Sequence, residues 1–103
     1  MGTWIAIADE ATAVGEGEVN PYDAAGLPVA LFRVHGKLFA LHDLCSHGAA
    51  RLSDGFVDEA CIECPLHQGL VEIATGAPMS PPITEAIRSL PVRVVDGRVE
   101  VEV

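Results

Sequence analysis

Two short stretches decide how this chain reads: Cys45-Ser46-His47-Gly48 and Cys64-Pro65-Leu66-His67-Gln68-Gly69. As a pattern they are Cys-x-His, sixteen residues, then Cys-x-x-His. Each contributes one soft thiolate and one borderline imidazole nitrogen, and two such pairs make a four-ligand site of the kind iron or zinc prefers. Two chemistries fit this donor set. A mixed-ligand [2Fe–2S] cluster takes two thiolates on one iron and two imidazoles on the other, so that each stretch straddles the cluster. A mononuclear zinc ion takes all four groups around itself. Both readings name the same ligands: Cys45, His47, Cys64 and His67.

On either side of these stretches the chain reads as short strands broken by turns. Residues 29–34 are rich in Val, Leu and Phe, and residues 37–42 return as their partner across the two-residue hairpin signal His35-Gly36. Short strands are expected at 4–8, from 19, at 56–57, 60–63 and 70–73, and as one piece over 89–95. Asp96-Gly97 is a type I′ signal, and residues 98–103 alternate strictly behind it. Asn20-Pro21 and residues 23–28 read as turn-rich, 48–53 as a loop, and Asp54-Gly55 as a turn. Residues 77–82 hold three prolines and exclude a central strand. Eight to ten short strands with frequent turns point to an all-β sandwich or barrel.

The bulk composition narrows the function classes. With 103 residues the chain is expected to form a single domain over 1–103, and 50% apolar content supports a folded core. Six basic residues against fifteen acidic ones leave a net charge of −9, which argues against nucleic acid as a partner. Such a surface suits fast, weak, electrostatically steered encounters with basic patches. No basic start precedes the first apolar residues and no run approaches a membrane span, so a cytoplasmic protein without membrane contact is expected. Thiols stay reduced there, and three cysteines then argue for metal rather than a disulfide framework.

Several neighbours of the two stretches add a resemblance. Gly48, Pro65, Gln68-Gly69, then Ala74-Thr75-Gly76, Pro81-Pro82 and the closing Leu90-Pro91-Val92-Arg93-Val94 are similar to Rieske proteins, over roughly residues 38–103. The chain resembles the small Rieske-type ferredoxins of multicomponent aromatic-ring-hydroxylating dioxygenases. That resemblance implies a Rieske fold of three antiparallel sheets, with a small cluster-binding subdomain, about residues 41–82, inserted into a β base domain. It implies one Rieske-type 2Fe-2S cluster on Cys45, His47, Cys64 and His67, and a one-electron carrier rather than an enzyme. A flavin-containing ferredoxin reductase would supply the electron and the Rieske centre of a terminal oxygenase would receive it. The docking tip would be His47, Gly48, Leu66, His67 and the Pro81-Pro82 loop, and the carrier would be a monomer. High-potential members of the family carry an extra disulfide and hydroxyl donors at the cluster. Here Ala49-Ala50, Leu66 and Leu70 stand in those loops, so the low end of the Rieske range is expected. The family's common Phe-Asp after the second stretch is Val71-Glu72 here.

Other chemistry-bearing residues read more plainly. Cys61-Ile62-Glu63-Cys64 is a Cys-x-x-Cys, but Pro65 and the surrounding β pattern argue against a redox dithiol, and Cys61 is expected to be an ordinary strand thiol. His35 and His42 are expected to be solvated or locally bonded, and Phe32, Phe39, Trp4 and Tyr22 to be packing residues. Two alternatives stay open at this stage: the small subunit of a nitrite reductase-like enzyme, and a zinc-stabilised binding module.

Overall fold

The computed structural model describes residues 2–44, 50–65, 69–80 and 85–103. Among them ten strands form three antiparallel sheets. The strands are β1 (Trp4–Asp9), β2 (Val19–Ala24), β3 (Leu27–Val34), β4 (Lys37–His42), β5 (Phe56–Asp58), β6 (Cys61–Glu63), β7 (Leu70–Glu72), β8 (Ser89–Leu90), β9 (Val92–Val95) and β10 (Arg98–Glu102). A terminal sheet has the order β1-β10-β9, a middle sheet β2-β3-β4-β8, and a small sheet β5-β6-β7. A single 3-10 turn, Leu52–Asp54, lies between β4 and β5. The expected all-β fold of three antiparallel sheets is thus what the chain forms.

β3 explains how the layers stack. Side chains alternate across a strand, and here both faces are apolar. Ala30, Phe32 and Val34 enter one core with Leu41, Leu52, Ile62, Cys64, Val71, Ile73 and Ile87. Val29 and Leu31 enter a second core with Ala24, Ala40, Leu90, Val99 and Val101. The middle sheet therefore packs against the small sheet on one face and the terminal sheet on the other. Phe32 is fully buried and Phe39 packs half-buried against the first core, as expected. Tyr22 packs on the second core while its hydroxyl donates to the Ala13 carbonyl at 2.6 Å. Trp4 lies under the Arg93 guanidinium, 4.1 Å from its ring centroid.

Two sequence expectations change. The span 20–28 is mostly strand: β2 runs through Pro21, and β3 already begins at Leu27. Pro21 is tolerated because β2 is the edge of its sheet. The turn shrinks to Ala25-Gly26, both at positive φ, with Asp23 accepting the Gly26 N–H. The expected single strand over 89–95 is two. Ser89–Leu90 pairs with β4, whereas Val92–Val95 pairs with β10. Pro91 has no N–H to continue a ladder, and the chain changes sheets there, with the Pro91 carbonyl accepting the Glu102 N–H at 3.0 Å.

The β3–β4 turn is His35-Gly36, at φ 52 and 76, matching its I′ signal. Glu16 caps it from outside: its carboxylate accepts the His35 N–H at 2.7 Å and the Gly36 N–H at 2.8 Å. These bonds, Gly36 first and then His35, hold the Glu16 carboxyl below its ordinary value of 4.5. A carboxyl lowered on folding adds stability that is complete above its ordinary value and is lost as pH falls through the folded one. The denaturation midpoint of Glu16→Gln should therefore lie below that of the unsubstituted protein at neutral pH. The gap should close below pH 4.5.

Gly76 offers a second test. It sits at φ +78, and a Cβ there would run into the Ile87 carbonyl oxygen. Gly97, at φ +76, has open space around it. Gly97→Ala should cost about 1 kcal/mol from backbone strain alone. Gly76→Ala should cost about 2–4 kcal/mol, because overpacking adds to the same strain. Urea titration of the two variants compares them directly.

Candidate metal centre

The second ligand stretch grows out of a hairpin stem. β6 and β7 pair from Cys61↔Glu72 to Glu63↔Leu70. One step further, the Cys64 N–H donates to the Gly69 carbonyl at 2.9 Å and closes the neck. Cys64 is fully buried and belongs to the first core, on the same side as Ile62. The chain that follows β7 is pinned back on it. Ser80 Oγ accepts the Leu70 N–H at 2.9 Å, and the Met79 N–H donates to the Leu70 carbonyl at 2.8 Å. Farther on, the Ile87 N–H reaches the Gly76 carbonyl at 2.8 Å.

The first stretch leaves from the end of β4. The His42 N–H donates to the Arg88 carbonyl and the Asp43 N–H to the Pro28 carbonyl, at 2.9 and 3.0 Å. On the far side Ala50 and Leu52 enter the first core. Between these flanks lies a buried carboxylate that sequence reasoning passed over. Asp43 is 1% exposed and is the one buried charged side chain among the described residues. Its Oδ1 accepts the Ser53 N–H at 2.8 Å, and its Oδ2 accepts the Ser53 hydroxyl at 2.6 Å. A lone Asp two residues before a Cys looks like loop polarity, and no spacing announces its partner ten residues on.

Of the four expected ligands the described residues include Cys64. Cys45, His47 and His67 lie outside them, as do Gly48, Leu66, Pro81 and Pro82 of the expected docking tip. Among the described residues no group of three or more His, Cys, Asp and Glu side chains is arranged to hold a metal. A metal site built without the two stretches is therefore not apparent there. Cys64 meets the demands of a cluster ligand: its side chain is withdrawn from water and its backbone is fixed at the neck of a hairpin loop. Cys45, His47 and His67 are the three further donors that the sequence offers beside it, and two thiolates with two imidazoles are what a mixed-ligand cluster would take.

Cys61 faces a different environment. It pairs across the small sheet with Asp58 on one side and Glu72 on the other, and it is half-buried and outside any disulfide. Burial first, then the charges of Glu72, Asp58 and Glu59, raise its thiol above the ordinary 9.0. A low-pKa redox thiol needs the opposite surroundings. His35 is exposed in its turn, and His42 is half-buried at the strand end.

A fold of three antiparallel β sheets, with Cys64 buried at the neck of one hairpin and a sequence that carries a paired Cys/His donor set, fits an iron–sulfur protein of the Rieske class. The Rieske [2Fe-2S] domain family matches residues 3–91, and the chain belongs to that family, with one Rieske-type [2Fe–2S] cluster as its cofactor. Within the family it is similar to ferredoxin components. It is 63% identical over 76 residues to the anthranilate 1,2-dioxygenase ferredoxin subunit of Burkholderia cepacia, covering 74% of this chain and 70% of that one. The Sphingomonas yanoikuyae B1 ferredoxin superposes with a TM-score of 0.90 at 35% identity, over 97% of this chain and 98% of that one. A chain in the complex of reduced oxygenase and oxidized ferredoxin in carbazole 1,9a-dioxygenase superposes equally well, at 0.90 and 33% identity, over 99% and 94%.

Cys61→Ser should leave iron and acid-labile sulfide per chain unchanged. In the unsubstituted protein Cys61 should alkylate more slowly at neutral pH than free cysteine, because the thiolate is the reacting form. Iron and sulfide assay of the variant checks the first, and peptide mapping after timed alkylation the second.

Proposed function

We propose that this chain is the one-electron carrier of an aromatic-ring-hydroxylating dioxygenase system. It takes an electron from a flavin-containing reductase and delivers it to the Rieske centre of a terminal oxygenase. The observation that carries this reading is the likeness to chains named as ferredoxins: near end-to-end with the Sphingomonas yanoikuyae B1 ferredoxin, and over 74% of this chain with a dioxygenase ferredoxin subunit. When bound, the cluster supplies a one-electron couple. Everything else falls to the chain's own residues.

In this reading Cys45 and Cys64 would hold one iron as thiolates, and His47 and His67 would hold the other through neutral imidazoles. Thiolates donate charge strongly, so the imidazole side accepts the electron more readily. The segment 41–82 serves as the cluster-binding unit, and the Cys64–Gly69 neck and the first apolar core fix the backbone beneath it. His47, Gly48, Leu66, His67 and Pro81-Pro82 form the face that meets both partners. A small, weak interface suits a carrier that must leave after each transfer.

Charge supports the same role. Asp54, Asp58, Glu59, Glu63 and Glu72 lie on or beside the small sheet, while Arg51 is the one basic residue between positions 43 and 85. An acidic monomer of this kind is steered toward basic patches on its partners. No helix among the described residues is long and apolar enough to cross a membrane. We place the carrier in the cytoplasm, where its thiols stay reduced for metal loading.

The test is anaerobic purification, iron, zinc and sulfide assay, EPR after reduction, and redox titration. Two irons and two sulfides per chain, with the low average g value of imidazole-ligated clusters, are expected. The potential should fall at about −150 mV, because the ligand loops lack the extra cysteine pair and hydroxyl donors. Cys64→Ser and His67→Ala should each abolish the spectrum. One zinc without sulfide would sink the carrier reading.

A further inference from the structure

We propose that Asp43 is a positioning residue for the cluster, acting as a clamp that closes the first ligand loop through Ser53. The inference rests on the reading of Cys45 and His47 as ligands. Asp43 stands before them in the chain and Ser53 behind them, and the two hydrogen bonds tie these flanks together. Both ends of the clamp are themselves anchored. The Asp43 N–H is held by the Pro28 carbonyl on β3, and Leu52, next to Ser53, is fully buried in the first core.

The energetics say that this carboxylate is there for geometry. Burying a charge is costly unless it is fully hydrogen-bonded, and an apolar pair of the same volume is often no less stable. Ser53 answers both carboxylate oxygens, one with its N–H and one with its hydroxyl. Arg51 adds an ion pair at 3.5 Å, but its side chain is 54% exposed and contributes little. What the arrangement achieves is closure. A loop whose ends are already joined has less freedom to lose when its Cys and His are brought to one cluster. The clamp therefore narrows the range of conformations open to the segment between Asp43 and Ser53, which carries the two ligands.

Four variants of the holoprotein separate the clamp from its alternatives. Ser53→Ala deletes the hydroxyl bond and Asp43→Ala deletes both. Asp43→Asn keeps an acceptor for the Ser53 N–H and can still pair with the hydroxyl, so it removes the charge alone. Arg51→Ala removes the ion pair. The readouts are the rate of iron release to a chelator under native conditions, the EPR g values of the reduced cluster, and the thermal midpoint. Asp43→Ala should release iron at least about tenfold faster, the scale one charge-assisted hydrogen bond supports. Ser53→Ala should release it severalfold faster, and both should shift the g values. Asp43→Asn and Arg51→Ala should stay within about twofold of the unsubstituted protein.

Unchanged release and unchanged g values in Ser53→Ala and Asp43→Ala, whatever their thermal midpoints, would overturn the clamp and leave the ligand reading intact. So would an Asp43→Asn as leaky as Asp43→Ala, which would mean that charge and not closure matters. If Asp43→Ala does not fold, Ser53→Ala against Asp43→Asn decides the matter. An unsubstituted protein without iron and sulfide would instead overturn the ligand reading, and the clamp with it.

Discussion

β3 is the strand on which the other layers depend. It feeds Phe32 and Ala30 into the core shared with the small sheet, and Val29 and Leu31 into the core shared with the terminal sheet. A strand buried on both faces cannot slip by one residue without exchanging the two sets, so its register with β2 and β4 is tightly specified. That register in turn fixes where β4 ends and hence where the first ligand stretch departs. The two I′ turns on either side, Ala25-Gly26 and His35-Gly36, admit only this pairing.

The two ligand stretches are supported differently, and the difference follows from chain length. The second is a tight hairpin loop on the β6–β7 stem, where the ladder itself brings Cys64 and Gly69 together. Among the described residues the first has no such stem. It leaves one sheet at β4 and reaches the next strand, β5, only at Phe56. With no ladder to hold its ends, a side chain must do so, and Asp43 spends its burial on that task. A chain can thus reach one local result by backbone pairing in one place and by a buried carboxylate in another.

Much of this was legible from residues alone. Lys37–His42 and the Asp96-Gly97 turn follow from alternation and turn chemistry, because there the signal is local and strong. The donor set stands out as a pattern, since Cys and His at those spacings have few other uses, and of its four members the described residues include Cys64. The errors have a common cause: the effect of a proline was judged without knowing its place in a sheet, as a break at Pro21 and as no break at Pro91. Pro21 lies within a strand because the unpaired side of an edge needs no N–H, whereas Pro91 divides what looked like one strand between two sheets. Only the tertiary position distinguishes the two. The Asp43–Ser53 pair was invisible for a similar reason, because burial is a property of the assembled layers and not of the loop sequence.

The crossing at Pro91 also determines how the molecule would answer a mechanical load. It sends the chain into β9 and β10, and β10 zips along β1 until Thr3 and Val103 exchange a pair of hydrogen bonds, at 3.0 and 2.9 Å. The two ends therefore emerge side by side from an antiparallel ladder. Tension applied between them peels that ladder open one rung at a time instead of shearing all rungs together. The terminal sheet would act as a soft mechanical fuse, yielding at low force while the middle sheet, and the ligand loops it anchors, remain unstrained.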